Sequence, residues 1–238
     1  MTEPMRRPTI LLLHAFPLGG GMWDHARAAL EARGWPVATP DLSGPDARSS
    51  YGETATRLLE DVAGDLVLVG ASMGGHLAFE LWRRAASRIR GLALCDTRAT
   101  PDTAEQRASR DALIRVLEEG GVEGLATGPM ATMGEPALRL MRELPADGLI
   151  ATLRAMRDRP DSSDTLATID VPVLVLTGAE DPVVRPEQAR ALAAALPGSR
   201  YVEIPSAGHV PALEQPEAFT AALVSFLEEA VRPRLSGP

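Results

Sequence analysis

Lysine is absent from this chain of 238 residues, cysteine occurs once, and aromatic residues make up only 4% of the sequence. A single cysteine excludes an intramolecular disulfide and a cysteine-based zinc site. All 24 basic residues are arginine, which we attribute to a compositional bias rather than to function. The net charge of −8 argues against general binding to nucleic acid or to anionic membranes, because both depend on clustered positive charge.

Long apolar runs are also missing. No segment approaches the roughly 20 apolar residues of a membrane span, and the first apolar run, residues 9–13, is too short for the core of a signal peptide. We therefore expect a cytoplasmic protein that does not bind membranes. Cys95 ends an apolar run and is predicted to be a buried, inert thiol.

What is present is an alternation of short apolar runs and helical patterns, in a chain that is 45% apolar and 24% charged. Runs that are apolar on both faces and separated by helices predict an α/β fold with a mostly parallel sheet flanked by helices. The predicted strands are 9–13, 36–39, 66–69, 92–94, 171–177 and 200–204. The predicted helices are 22–32, 54–62, 75–86, 186–195 and 216–231, followed by a frayed tail from 232 to 238.

One region interrupts the alternation. Residues 97–170 contain helical patterns at 103–119, 136–143 and 148–157, broken by glycines, and no strand pattern. The region is too long for a simple connection. We expect a helical cap, or lid, at 97–170, inserted into a core made of 1–96 and 171–238. Extra helices packed beside the sheet would give the same pattern.

A catalytic serine is predicted at Ser72. The apolar run 66–69 leads into the sequence GASMG at 70–74, and a helical pattern follows. A G-x-S-x-G sequence between a strand and a helix is typical of a nucleophile elbow, in which a strained backbone presents the serine above the sheet. The alternative is a tight glycine-rich turn with a solvated serine.

Two later loops supply candidates for the base and the orienting acid that a serine nucleophile needs. Asp181 follows the strand 171–177, although it could instead cap the next helix, and Glu180 beside it is the rival acid. His209 follows the strand 200–204 in a loop next to a glycine. The order Ser72, Asp181, His209 differs from those of chymotrypsin and subtilisin.

Backbone N–H groups are the expected oxyanion donors. Met73 follows the nucleophile at a helix N-terminus, and Phe16 lies in the loop after the first strand, before a proline that has no N–H. His14 is predicted to be a structural hydrogen-bonding residue of that loop. His25 and His76 fall in helical patterns and are interpreted as surface or packing residues, and no pair of residues has a metal-ligand spacing.

Together, these residues resemble a known set of motifs. The sequences HAFP at 14–17, PDLSG at 40–44, GASMG at 70–74, GAED at 178–181 and GH at 208–209 are similar to the signatures of α/β-hydrolases. Within that superfamily the chain looks most like 3-oxoadipate enol-lactonase-like esterases and lactonases. The resemblance covers about residues 9–230 and implies an α/β-hydrolase fold with a helical cap. It also implies a serine hydrolase with no cofactor and no metal.

Two segments depart from the family pattern. Ala15 stands where members usually carry glycine, and the segment 40–49 lacks the usual Gly-His-Gly-x-Ser continuation. The second departure predicts a different path for this loop, so the substrate of any one family member cannot be transferred to this chain.

The cap region suggests the kind of acyl group. No aromatic residue occurs between Trp82 and Tyr201, and the region is rich in methionine and leucine. We therefore expect small, mainly non-aromatic acyl groups, although these side chains could simply form the core of the cap. The predicted substrate-binding residues are Leu18, Trp23, Met130 and Met133. Arginines at 139, 142, 154 and 157 could meet a substrate carboxylate, or form a solvated helix face.

The leading hypothesis is a hydrolase of small-molecule carboxylic esters or lactones that acts through an acyl-enzyme intermediate. The same triad could serve carbon–carbon hydrolysis, thioester cleavage or perhydrolysis. A non-catalytic ligand-binding protein on a hydrolase scaffold is the rival hypothesis. A homo-oligomer is possible, and no nucleic acid partner is expected.

Overall fold

A parallel sheet forms the centre of the molecule. The computed structural model describes residues 7–235. In that part of the chain six strands form one sheet in the order β2-β1-β3-β4-β5-β6, and every neighbouring pair is parallel. The strands are β1 (Thr9–Leu13), β2 (Val37–Ala38), β3 (Leu66–Ala71), β4 (Ile89–Cys95), β5 (Val173–Gly178) and β6 (Arg200–Ile204).

Helices connect the strands in chain order. They are α1 (Asp24–Glu31), α2 (Tyr51–Asp61), α3 (Met73–Ala85), α4 (Ala104–Thr127), α5 (Glu135–Arg142), α6 (Ala146–Arg157), α7 (Ser163–Leu166), α8 (Pro186–Ala194), α9 (Pro211–Glu214), α10 (Pro216–Phe226) and α11 (Arg232–Leu235). Short 3₁₀ turns occupy Gly20–Trp23 and Ala86–Arg88, and a π-helical turn at Leu227–Val231 links α10 to α11. The predicted α/β fold is confirmed.

The sequence misplaced some boundaries. Strand β4 begins at Ile89, three residues before the predicted start, because Ile89 and Gly91 pair with the first residues of β3. The prediction of a frayed tail is wrong for 232–235, which are helical, and its remaining residues, 236–238, lie outside the described part.

The four inner strands, β1, β3, β4 and β5, are buried on both faces, whereas the edge strands β2 and β6 are mostly half-buried. Alternate residues of β1 enter two separate apolar clusters, with Leu11 and Leu13 in one and Ile10 and Leu12 in the other, and all four side chains are fully buried. This is the period of two expected for a strand covered on both sides. Apolar residues of α4, α5 and α6 join the first cluster, while α1 and α10 cover the opposite face.

Four helices, α4 to α7, fill the chain between β4 and β5, and residues 97–170 contain no strand, as predicted. Helix α6 packs closely on the loop after β2. A Cβ atom added to Gly148 would lie 2.0 Å from the Ser43 carbonyl oxygen, and the Thr152 hydroxyl donates to the Leu42 carbonyl at 3.2 Å. In residues 7–235 no helix combines the length and apolar character needed to cross a bilayer.

Candidate active site

Ser72 lies at the junction of β3 and α3 with a backbone that non-glycine residues rarely adopt, φ 49° and ψ −107°. Glycines allow this sharp turn. A Cβ atom at Gly70 would lie 2.5 Å from the Gly74 carbonyl oxygen, and one at Gly74 would lie 2.1 Å from that of Leu13. The Thr97 hydroxyl donates to the Ser72 carbonyl at 2.8 Å and helps to hold the turn. The strained backbone predicted for this strand-to-helix turn is therefore present.

The structure brings Ser72, Asp181 and His209 together. His209 Nε2 lies 2.9 Å from Ser72 Oγ, and His209 Nδ1 lies 2.8 Å from Asp181 Oδ2. The three residues follow the carboxyl ends of β3, β5 and β6, which the parallel sheet places at one edge. A histidine held between a hydroxyl and a carboxylate can take the hydroxyl proton while the carboxylate stabilises the imidazolium.

Asp181 is buried and well supplied with donors. Its Oδ1 accepts hydrogen bonds from the Val183 and Val184 N–H groups at 2.7 and 3.0 Å. Burial by itself would raise the pKa of Asp181, but the hydrogen bond to His209, together with the two N–H groups, holds the pKa below its usual range. The carboxyl group therefore stays ionised and can orient the imidazole. Glu180, the rival acid, is exposed.

Sequence reasoning missed a residue that holds the histidine loop. The Glu214 carboxylate, in α9, accepts hydrogen bonds from the Gly208 N–H and, at 2.8 Å, from the Val210 N–H. These two N–H groups flank His209 on both sides. The only signal in the sequence is an acidic residue five positions after the histidine, which occurs too often to be informative.

In the part of the chain that the structure describes, the predicted oxyanion donors have no competing acceptor. Met73 is the first residue of α3, whose first N–H groups lack helical partners. No residue in the described range 7–235 accepts a hydrogen bond from the N–H of Met73 or of Phe16. Behind Phe16, the buried His14 ring bonds to the Ala15 carbonyl through Nδ1 and accepts the Leu42 N–H at 2.8 Å through Nε2. These contacts agree with the structural hydrogen-bonding role predicted for His14.

Two of the predicted substrate-binding residues lie elsewhere. Leu18 and Trp23 have no accessible surface, and the Trp23 ring packs on Phe219 with centroids 5.7 Å apart. They belong to the core rather than to the wall of a cavity. Met130 and Met133 are half-buried in the turns between α4 and α5, where they pack against the core clusters.

A small cavity lies beside Met73, between the core and helix α6. It holds about 10 Å³, close to the space of a single water molecule. Helix α6 contributes Thr152 and Ala155 to its lining, and α2 contributes Tyr51. No local sequence pattern indicates these lining residues, since Tyr51 and the two residues of α6 lie about 100 positions apart in the chain.

The other predicted roles can also be placed. His76 is buried, and its Nδ1 lies 3.4 Å from the Tyr51 hydroxyl, so it is a packing residue. The half-exposed His25 lies near Thr220.

Cys95 is buried as predicted, and burial raises the pKa of its thiol well above the usual range. Of the four arginines at 139, 142, 154 and 157, Arg142, Arg154 and Arg157 lie within ion-pair distance of carboxylates.

One group of donor atoms has a composition that could suit a metal. In the described part of the chain, single donor atoms of Asp96, Asp181 and His209 all lie within 4.8 Å of one another. Both nitrogens of the His209 ring, however, are already within hydrogen-bond distance of Asp181 and Ser72. The His209 ring is therefore better placed for hydrogen bonds to Ser72 and Asp181 than for binding a metal ion.

Comparison with known proteins agrees with this geometry. The model of the alpha/beta hydrolase family matches residues 10–222. The chain belongs to the alpha/beta hydrolase family. Among solved structures, a thermophilic esterase from Thermogutta terrifontis has a TM-score of 0.85 and 32% identity, with 94% of this chain and 90% of the esterase covered.

Two further relatives have names that specify a reaction. The enol-lactonase from Burkholderia xenovorans LB400 has a TM-score of 0.78 and 27% identity, over 94% of this chain and 92% of the lactonase. The pimeloyl-[acyl-carrier protein] methyl ester esterase of Aromatoleum aromaticum is 29% identical in an alignment of 239 positions, gaps included, which covers 90% of this chain and 95% of the esterase.

Proposed function

We propose that this hydrolase cleaves carboxylic esters or lactones with small, mainly non-aromatic acyl groups. The observation that carries the proposal is the His209 ring, which lies within hydrogen-bond distance of both Ser72 Oγ and Asp181 Oδ2. The esterase and lactonase relatives support the same class of reaction.

In the proposed acylation step, Ser72 Oγ attacks the substrate carbonyl carbon while His209 Nε2 takes the hydroxyl proton. The charge that develops on the carbonyl oxygen is stabilised by the N–H groups of Phe16 and Met73, each contributing about 3 kcal/mol. His209 then gives its proton to the leaving alcohol oxygen as the carbon–oxygen bond breaks. In a lactone that alcohol remains part of the acyl group.

Deacylation repeats the sequence with water. His209 takes a proton from water, the hydroxide attacks the acyl carbon, and the proton returns to Ser72 Oγ as the acid leaves. Asp181 stays ionised throughout and stabilises the imidazolium. No further reactant is needed, because water supplies the second nucleophile.

The substrate class rests on the cap. We infer that residues 97–170 form a cap over the site, supported by the contribution of α6 to the cavity beside Met73. The sequence of this region offers no aromatic ring for stacking. A cavity of about 10 Å³ must also enlarge for any acyl group, which favours small acyclic or alicyclic ones.

The test combines a fluorophosphonate probe with a panel of butyryl, hexanoyl and phenylacetyl esters, together with lactones. We expect labelling of Ser72, a preference for the aliphatic substrates, and a loss of at least about 1,000-fold in kcat for Ser72→Ala. Ser87→Ala is the control, because Ser87 is exposed at the far end of α3, about 20 Å along the helix.

Two outcomes would contradict the catalytic role proposed for Ser72. A folded protein in which Ser72 is not labelled would favour the non-catalytic alternative. A fall of less than about 10-fold in Ser72→Ala would contradict a nucleophilic serine. A preference for phenylacetyl esters would overturn the assignment of the acyl group alone, and thioester or peracid-forming substrates in the same panel test the other uses of the triad.

A further inference from the structure

A second buried carboxyl group lies beside the triad, at a position that the proposed mechanism does not use. Asp96 directly follows β4, is 1% exposed, and has a φ of 48°, in the left-handed region. Its Oδ1 accepts hydrogen bonds from the Gly178 N–H at 2.8 Å and from the Thr177 hydroxyl at 3.0 Å. One oxygen of this carboxyl group is therefore fixed at the end of β5.

The other oxygen has no hydrogen-bond partner among the described residues. Asp96 Oδ2 is buried and forms no hydrogen bond with any residue in the range that the structure describes. Carboxyl oxygens of Asp96 and Asp181 and a ring nitrogen of His209 lie within 4.8 Å of one another. An ionised carboxylate buried with a bare oxygen next to a second carboxylate is strongly unfavourable, whereas a shared proton removes both problems.

We propose that Asp96 carries a proton on Oδ2 and donates a hydrogen bond from it to the Asp181 carboxylate, as a positioning residue of the triad. This inference rests on the proposed function of Ser72, Asp181 and His209. The proton belongs on Asp96 because Asp181 already receives hydrogen bonds from three N–H groups, which stabilise its ionised form. Oδ2 of Asp96 receives none.

The directions of the pKa shifts of Asp96 and Asp181 also support a proton on Asp96. Burial raises the pKa of Asp96 well above its usual range, and the charge of Asp181 raises it further. The pKa of Asp181 is lowered. The other titratable groups that face Asp96 are His209, across the triad, and the buried thiol of Cys95, the preceding residue.

A proton on Asp96 has two consequences for the reaction. The pair of carboxyl groups then carries a single negative charge, so the charge next to the His209 ring is that of one carboxylate. The donated hydrogen bond also lowers the basicity of Asp181, which keeps the imidazolium proton on His209 during the reaction. Asp96 thus acts on the reacting atoms only through Asp181.

Two substitutions separate this role from simple packing. In Asp96→Asn the amide oxygen can accept from Gly178 and Thr177 while the amide N–H donates to Asp181, so asparagine mimics the protonated acid. Asp96→Ala removes the donor. We expect Asp96→Ala to lower kcat at least about 10-fold with KM changed less than about 2-fold, and Asp96→Asn to restore kcat to within about 3-fold of wild type.

The pH profile gives a readout that a packing role would not move. If Asp96 is neutral, Asp96→Asn leaves the acid limb of kcat/KM within about 0.3 pH units of wild type. If Asp96 is ionised, this substitution removes a negative charge near His209, and the limb moves to lower pH by about one unit. That shift would overturn the proposal, as would wild-type kcat in Asp96→Ala.

Infrared spectroscopy of the unreacted protein tests the proton directly. The difference spectrum between wild type and Asp96→Asn at neutral pH should contain the carbonyl stretch of a protonated carboxyl group. Folded wild type without this band would overturn the proposal, even if Asp96→Ala does not fold. If the band is present but a fluorophosphonate fails to label Ser72, the proposed function fails while the proton on Asp96 stands.

Discussion

At the scale of single residues, the reactive serine depends on neighbours that carry no chemistry themselves. Ser72 keeps a strained backbone conformation, which persists only when surrounding contacts determine it. The Cys95 carbonyl accepts the Ser72 N–H at 2.8 Å, and the Thr97 hydroxyl bonds to the Ser72 carbonyl. Strand β4, rather than the G-x-S-x-G sequence alone, therefore completes the turn.

Glu214 gives a residue-scale prediction about the base. Its carboxylate holds the N–H groups on both sides of His209, so Glu214→Ala should let the ring drift from Ser72. We expect kcat to fall about 10-fold with little change in KM, because the ring must stay in reacting geometry. Steady-state kinetics with a butyryl ester measures this effect.

Two further variants test whether an effect of Glu214→Ala comes from the loss of this carboxylate. Glu214→Gln keeps one acceptor oxygen and should recover part of the activity. Glu187→Ala removes an exposed carboxylate of α8 and serves as the control. Wild-type kcat in Glu214→Ala would show that the loop holds His209 without this carboxylate.

At the scale of secondary-structure elements, a buried ion cluster joins the two ends of the helical region 97–170. The Asp102 side chain has no exposed surface and accepts hydrogen bonds from Arg98 at 2.7 Å and Arg110 at 3.2 Å, near the start of the region. It also forms an ion pair at 2.8 Å with Arg159, near the end of the region. Arg159 is only 4% exposed. One carboxylate therefore ties the start of the region to its end.

Removing that carboxylate should loosen the helical region. Asp102→Ala leaves a buried arginine without a charge partner, and we expect a loss of about 3 kcal/mol in the free energy of unfolding. Urea denaturation measures the loss, and limited proteolysis should cut first within residues 97–170.

Asp111→Ala provides a matched control on α4, the helix that begins two residues after Asp102. Asp111 pairs with Arg157 at 2.6 Å, but both side chains are partly exposed. A pair of this kind contributes less than about 1 kcal/mol. Equal losses in the two variants would mean that Asp102 has no special role at the base of the region.

At the scale of the whole molecule, global unfolding should depend on pH through His76. Burial holds the pKa of His76 well below its usual range, and nearby Arg159, Arg98 and Arg110 lower it further. The unfolded chain therefore binds a proton that the folded protein does not bind once the pH falls below about 6.5. Stability then decreases as the pH falls, by about 1 kcal/mol between pH 7 and 5.5 from this group.

The His76→Gln variant should lose this part of the pH dependence. Urea unfolding at pH 7 and at pH 5.5 provides the comparison, and His25→Gln, a half-exposed histidine, is the control. Identical pH dependence in wild type and His76→Gln would show that His76 takes up a proton within the folded protein.

The sequence predicted the residues of the site whose signals are local. Ser72, Asp181 and His209 each follow a predicted strand within five positions, so a strand pattern and a short motif were enough to select them. Asp96 also follows a strand and could have been selected by the same rule. Glu214 could not have been selected in this way, because its role depends on how the fold places α9 against the N–H groups on both sides of His209.

For Leu18 and Trp23 the local pattern suggested a role in substrate binding, whereas the structure buries both side chains in the core. Their positions after the first strand suggested a pocket, but Trp23 packs on Phe219, which lies 196 positions later in the chain. Such contacts follow from the docking of α10 against the start of α1, and no local pattern reports them. The cavity beside Met73 was missed for the same reason, since α2 and α6 line it together.

The sequence by itself determined the parallel sheet, the helices between β4 and β5, and the three residues of the candidate triad. These follow from hydrophobic period, glycine positions and strand ends, which are properties of short segments. Only the tertiary structure decided that Asp96 lies against Asp181, that Glu214 holds the His209 loop and that Asp102 joins both ends of the helical region. Those contacts depend on packing between distant segments, where burial and charge act together.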